Sequence, residues 1–144
     1  MKRIVAFDPG LTTGVCSVLL DDNNKVKELY SWTIDWDARF SQVQDAIKNH
    51  FPSVIVIERF RLYSQYAKHQ INNAFPSVEM IGIITTMVYL FDPEAIIVMQ
   101  SASEISHVAI PPEYQEIVKA SEHQRDAFKH LRLWYVKNYT GTDF

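Results

Sequence analysis

Two apolar runs in this sequence each end in a carboxylate, and this pattern restricts the possible folds more than any other feature. Residues 4–7 lead directly into Asp8, and residues 54–57 lead directly into Glu58. Strands that are apolar on both faces belong in the middle of a sheet whose two sides are covered, as in parallel sheets. If the two strands are parallel neighbours, both carboxylates leave the same edge of the sheet, close to each other.

Turn-forming residues divide the rest of the chain into short strands and helices. The predicted strands are the largely apolar ranges 3–8, 13–20, 25–34, 53–58 and 95–100. The predicted helices run from Asp35 or Asp37 to about residue 50, over 76–91, and from a Ser121 cap to about residue 138. Residues 59–75 show no clear period, and 101–120 are ambiguous. The order βββαβαβα predicts an α/β protein with a ribonuclease-H-like mixed five-stranded sheet, in which an antiparallel meander is joined to two parallel strands and flanked by helices.

Length and composition predict one intracellular domain. The 144 residues are 47% hydrophobic, which suits a single domain covering residues 1–144. Cys16 is the only cysteine, so it has no partner for an intrachain disulfide. The N-terminal residues do not resemble a signal peptide. The most apolar later stretch, 78–91, contains Glu79 and is shorter than the ~20 residues of a membrane span. We therefore expect a cytoplasmic protein without membrane association.

A third acidic group follows on the last predicted helix. His123, Asp126 and His130 are spaced by three or four residues and therefore share one helix face. If that face packs on the sheet, His123 and Asp126 reach the edge where Asp8 and Glu58 emerge. Adjacent carboxylates repel each other unless a cation neutralises them, and their oxygens suit Mg²⁺ or Mn²⁺. Three alternatives stay open: Asp8 forms a turn, Glu58 is the first exposed residue after a strand, and the helix face is only solvated.

Three stretches of this sequence resemble the motifs of RuvC-type Holliday junction resolvases, which belong to the ribonuclease-H-like superfamily. They are "IVAFDPGLTTGVCSV" at the first strand, "VIVIERF" at the fourth strand and "HQRDAFKHL" on the last helix. Motif order, spacing and overall length all agree, so the resemblance covers nearly the whole chain. The chain resembles most the compact resolvase-like proteins of bacteriophages.

This resemblance implies a catalytic site of four residues. Asp8 matches the carboxylate that bridges two Mg²⁺ or Mn²⁺ ions, Glu58 the second ligand and Asp126 the acid of the last helix. His123 stands where several members have another Asp, which makes it a metal ligand or a general acid/base. The implied activity is divalent-metal-dependent cleavage of four-way DNA junctions by a homodimer, through paired nicks in opposed strands, in a bacterial or phage-infected cell.

The segment after Glu58 is the predicted DNA-binding segment. Its basic residues are expected to hold phosphates, and its aromatic residues to stack on unpaired bases. These side chains are Arg59, Phe60, Arg61, Tyr63, Tyr66 and Lys68. The alternative is a surface loop whose aromatic side chains fold back into the core. Two features depart from the family: the net charge is −3, and "QSASEIS" after the fifth strand lacks the expected Lys.

The helix predicted at 76–91 is apolar nearly all round, which favours it as the homodimer contact, with a purely intrachain core role as the alternative. Other functions compatible with the pattern are a ribosomal-RNA-processing nuclease of the same fold and a catalytically inactive DNA-binding accessory protein. Glu58 argues against the first, and the intact acids against the second. An ATPase lobe would need a second lobe to enclose its nucleotide, so no nucleotide cofactor is expected.

Overall fold

A mixed β-sheet forms the centre of the protein in the computed structural model, which describes residues 1–60, 67–139 and 144. The strands, in chain order, are β1 Lys2–Asp8, β2 Thr12–Leu20, β3 Val26–Asp35, β4 Val54–Arg59 and β5 Ile96–Ser101. Their order in the sheet is β3-β2-β1-β4-β5. The pairs β1–β2 and β2–β3 are antiparallel, whereas β1–β4 and β4–β5 are parallel. The predicted meander with two added parallel strands is confirmed.

Helices cover both faces of this sheet. They are α1 Arg39–Lys48, α2 Ala67–Phe91, α3 Pro112–Val118 and α4 Glu122–Asn138, with short 3-10 helices at Trp36–Ala38 and Ala102–Ile105. α1 and α2 share one apolar core with the face of β1 that carries Val5 and Phe7. α3 and α4 share the other core with the opposite face, which carries Ile4 and Ala6. No helix among the described residues is both long and apolar enough to cross a membrane.

Two sequence predictions about helices need correction. α2 begins at Ala67 and contains Pro76 in its interior, so the predicted start at residue 76 is wrong. Proline favours the first turn of a helix because it lacks an N–H, and this preference misplaced the boundary. The helical spacing of the apolar residues Trp36, Phe40, Val43, Ile47 and Phe51 also predicts one buried stripe on the first helix, and this is only partly correct. Phe40 is 53% exposed and Phe51 is 63% exposed. Phe51 lies beyond the helix, at a positive φ of 45°.

Gly14 allows α4 to lie directly on β2. A Cβ atom at Gly14 would be 2.0 Å from the backbone oxygen of His123 and 2.7 Å from the backbone nitrogen of Gln124. Gly14 is also the register partner of Asp8 in the β1–β2 ladder. The missing side chain therefore brings the first turn of α4 next to the end of β1. Ser121 caps this turn, accepting a hydrogen bond from the Gln124 N–H at 3.1 Å, as the sequence predicted.

We expect Gly14→Ala to destabilise the protein by about 1–3 kcal/mol, because the added methyl group must push the backbone of α4 away from β2. Chemical denaturation monitored by circular dichroism measures this change. Gly82→Ala is the matched control, since a Cβ at Gly82 in α2 meets no atom within 4 Å. The control should be neutral or stabilising by up to about 1 kcal/mol. Equal stability of Gly14→Ala and the wild type would contradict the packing argument.

Candidate active site

The alternation of side chains along β1 and β4 places two carboxylates under α4. Ala6 and Val56 are register partners, and both face the core beneath α4. Successive side chains of a strand point to opposite faces, so Asp8 and Glu58, two positions further on, face the same helix. Asp8 is only 8% exposed, and Glu58 is half-buried.

Asp126 of α4 completes a cluster of three acids. Asp8, Glu58 and Asp126 each offer a carboxylate oxygen, and these oxygens lie within 4.8 Å of one another. The three residues come from β1, β4 and α4, which are far apart in the sequence and meet only through the tertiary fold. Oxygen-only ligands at this spacing fit a hard divalent cation such as Mg²⁺ or Mn²⁺.

His123 lies beside this cluster, at its solvent-exposed side. Its Nδ1 atom is 3.1 Å from Asp8 Oδ2, within hydrogen-bonding distance. Its side chain is 47% exposed, compared with 11% for the side chain of Asp8. His123 therefore contacts the site through Asp8. Its role as a metal ligand or as a general acid/base stays a prediction.

The pKa values in the cluster show an excess of negative charge. Burial raises the pKa of Asp8 to about 9, helped by the charge of Glu58, by a hydrogen bond with Glu58 and by the charge of Asp126. Burial and the charge of Glu58 also raise the pKa of Asp126. For Glu58, burial is opposed by hydrogen bonds with His130 and Asp8, which leave its pKa lowered. Without a cation, Asp8 therefore holds a proton at neutral pH. A divalent ion neutralises this excess charge, so the residues present fit such an ion.

Two further residues of this site carried no role in the sequence analysis. His130 is fully buried, and its Nε2 atom lies 3.0 Å from Glu58 Oε2. Its Nδ1 atom lies 2.8 Å from Oε1 of Gln100, which is also buried. A sequence signal existed for both: His130 lies one turn after Asp126, and Gln100 ends an apolar strand as Asp8 and Glu58 do.

The predicted DNA-binding residues are only partly described. Arg59 is the exposed last residue of β4, directly after Glu58, and Phe60 is half-buried. Arg61, Tyr63 and Tyr66 lie outside the described residues. Lys68 lies in the first turn of α2, and its side chain is likewise outside the description. A cleft of about 390 Å³ runs beside the acidic cluster, lined by residues 9–12, by Pro76 and Ser77 of α2 and by His123.

Solved structures with the same architecture come from bacteria, viruses and yeast mitochondria. T. thermophilus RuvC in complex with a Holliday junction substrate superposes with a TM-score of 0.71 at 11% identity, covering 96% of both chains. The fowlpox virus Holliday junction resolvase gives 0.64 at 15% identity, covering 94% of this chain and 99% of its own. The yeast mitochondrial Holliday junction resolvase gives 0.61 at 13% identity, covering 96% and 81%. No protein-family model and no curated protein matches the sequence. The chain has the ribonuclease-H-like fold of RuvC and of the viral and mitochondrial Holliday junction resolvases.

Proposed function

We propose that this protein is a divalent-metal-dependent endonuclease that cleaves branched DNA, with four-way junctions as its principal substrate. One observation carries the proposal: Asp8, Glu58 and Asp126, from three separate elements, bring carboxylate oxygens within 4.8 Å of one another. The fold supports the choice of substrate, because its solved examples include a RuvC bound to a Holliday junction.

The three carboxylates are the proposed ligands of Mg²⁺ or Mn²⁺, and the site is proposed to bind two such ions. Such ions activate water and stabilise the leaving oxygen of a phosphodiester. The chain itself contributes the orientation of the ligands and the exclusion of water from Asp8, which is 8% exposed. His123, which is half-exposed and hydrogen-bonded to Asp8, is the proposed further ligand or general acid/base.

The cleft beside the cluster is the proposed path of the cleaved strand. Its walls are the β1–β2 turn, His123 and the part of α2 around Ser77. Arg59, exposed at the end of β4, is the proposed phosphate contact nearest to Glu58. The remaining proposed contacts of the DNA-binding segment are Phe60, Arg61, Tyr63, Tyr66 and Lys68. With a net charge of −3, the protein needs such a local basic segment to approach DNA.

A homodimer through α2 is the proposed assembly. One face of α2 exposes large apolar side chains, which at this spacing lie along a single stripe. They are Phe75 at 75%, Val78 at 53%, Tyr89 at 78% and Leu90 at 60% exposure. Exposed apolar stripes of this kind mark protein interfaces, and two copies of a nuclease domain allow paired nicks in opposed strands.

We expect Asp8→Asn and Glu58→Gln each to reduce junction cleavage to below ~1% of the wild-type rate, because each removes a ligand charge and keeps the side-chain size. A synthetic four-way junction, a flap and a plain duplex, each with Mg²⁺, Mn²⁺ or chelator, provide the assay. Junction binding should persist in both variants. Asp37→Asn, at an exposed acid distant in sequence from the site, is the control and should keep full activity. Wild-type junction binding without metal-dependent cleavage would favour the accessory-protein alternative.

We expect the affinity for Mg²⁺ to increase with pH, by up to ~10-fold per unit, until the pH passes the pKa of Asp8 at about 9. The sign follows because the carboxyl group is protonated below that pKa and must lose its proton to bind a cation. Isothermal titration calorimetry in two buffers of different ionisation enthalpy measures the proton released. A pH-independent affinity without proton release would show that Asp8 is not a ligand.

We expect Tyr89→Asp to convert a dimer into a monomer, because a charge on the exposed stripe of α2 cannot be buried against a second copy without a partner. Multi-angle light scattering at micromolar concentration measures the change. The folded monomer should be retained, since Tyr89 is 78% exposed. Val136→Asp, at a 54% exposed apolar residue of α4, is the control and should leave the dimer intact. A monomeric wild type would contradict the proposed assembly.

A further inference from the structure

The imidazole of His130 lies beneath the acidic cluster and joins two strands of the sheet. Glu58 and Gln100 are register partners in the β4–β5 ladder. The ring of His130 contacts both of them, Glu58 Oε2 at 3.0 Å and Gln100 Oε1 at 2.8 Å. His130 is 0% exposed and Gln100 is 4% exposed, so neither side chain is available to solvent.

Hydrogen-bond chemistry fixes the direction of the contact between His130 and Glu58. An ionised carboxylate only accepts hydrogen bonds, so the Nε2 atom of His130 must carry the hydrogen. Both orientations of the Gln100 amide lead to the same conclusion. With its oxygen facing the ring, Nδ1 also donates and the ring is an imidazolium. With its nitrogen facing the ring, Nδ1 accepts and the ring is neutral. In both cases His130 donates to Glu58.

The donated hydrogen bond restricts the plane of the Glu58 carboxyl group. The ring itself is held by Gln100 at its other nitrogen and is fully buried, so it offers Glu58 a fixed donor. Glu58 is one of the three carboxylates of the cluster, and the direction of its oxygens sets the geometry offered to a cation. Partners that orient a metal ligand in this way typically contribute 10–100-fold to metal affinity or activity.

We propose that His130, held in place by Gln100, is the positioning residue that orients the Glu58 carboxylate toward the bound divalent cation. This inference rests on the proposed metal-dependent function. His130 is not itself a ligand, since both of its nitrogens face Glu58 and Gln100, and it is too deeply buried to touch DNA.

Mn²⁺ binding to the DNA-free full-length chain tests this role by calorimetry. His130→Leu removes the donor and keeps an apolar side chain in the core, and it should raise the Kd for Mn²⁺ by ~10–100-fold. His130→Gln places an amide N–H near the position of Nε2 and should recover most of the affinity. Leu131→Ala is the matched control, because Leu131 is also fully buried on α4 but packs in the apolar core. The control should lower thermal stability and leave the Kd unchanged.

Cleavage kinetics separate orientation of the ligand from a merely structural role. In His130→Leu, the Mn²⁺ concentration that gives half-maximal rate should increase by the same factor as the Kd. A merely structural role would reduce the rate at every Mn²⁺ concentration and leave the half-saturating concentration unchanged, which would overturn the proposal. An unchanged Kd in folded His130→Leu, or an equal loss of affinity in Leu131→Ala, would also overturn it.

Gln100→Leu provides the test if His130→Leu does not fold. This variant keeps the imidazole and releases its second hydrogen bond, so Mn²⁺ binding should weaken, and an unchanged Kd would overturn the proposal. The same experiments test the proposed nuclease function separately from the positioning role of His130. A wild-type protein that binds Mn²⁺ with this dependence on His130 but cuts no DNA would contradict the nuclease function and support the positioning role. A wild-type protein that binds no Mn²⁺ would overturn both.

Discussion

The close packing of α4 on β2 at Gly14 is the contact on which the candidate site depends. A Cβ at this position would be 2.0 Å from the backbone of His123, so only glycine permits the observed distance. Because Gly14 is the register partner of Asp8, the same contact sets how near α4 comes to the end of β1. Asp126 and His123 reach the sheet edge only from this position of the helix. A contact between backbone atoms, without any side chain of the site, therefore determines the site's geometry.

The two faces of the sheet differ in the polarity of the side chains near the strand ends. The face covered by α1 and α2 carries one of the two apolar cores, and its helix α2 also exposes apolar side chains to solvent. On the face covered by α4, the side chains of β1 and β4 change from apolar to acidic between one position and the next. Ala6 and Val56 are apolar, and Asp8 and Glu58, which follow them on this face, are acidic. Beneath that change, His130 and Gln100 supply the polar partners that a buried carboxylate requires. The carboxylate of Glu58 thus enters the interior where a hydrogen bond from His130 offsets its burial.

Apolar runs and their terminal residues predicted the five strands, the antiparallel meander and the sheet edge shared by Asp8 and Glu58, because side-chain alternation and parallel pairing follow directly from such patterns. The approach of Asp126 was conditional on how the last helix packs, which the sequence does not determine. The start of α2 was missed, since the sequence before Pro76 lacks an amphipathic period and the proline itself resembles a first-turn residue. The role of His130 was missed for another reason. Helical spacing places a residue on a face, but only the tertiary structure shows that its two nitrogens meet side chains from β4 and β5.

The raised pKa of Asp8 has an evolutionary consequence. A carboxylate that keeps its proton up to about pH 9 is one whose charge opposes the folded state. Replacement by asparagine would therefore remove no charge that favours folding, and a folded scaffold without this acid lies one substitution away. A lineage under selection for stability alone would lose this acid, as it would the neighbouring Asp126, whose pKa is also raised. Folding stability alone therefore does not account for these two acids, whereas the proposed cation site does.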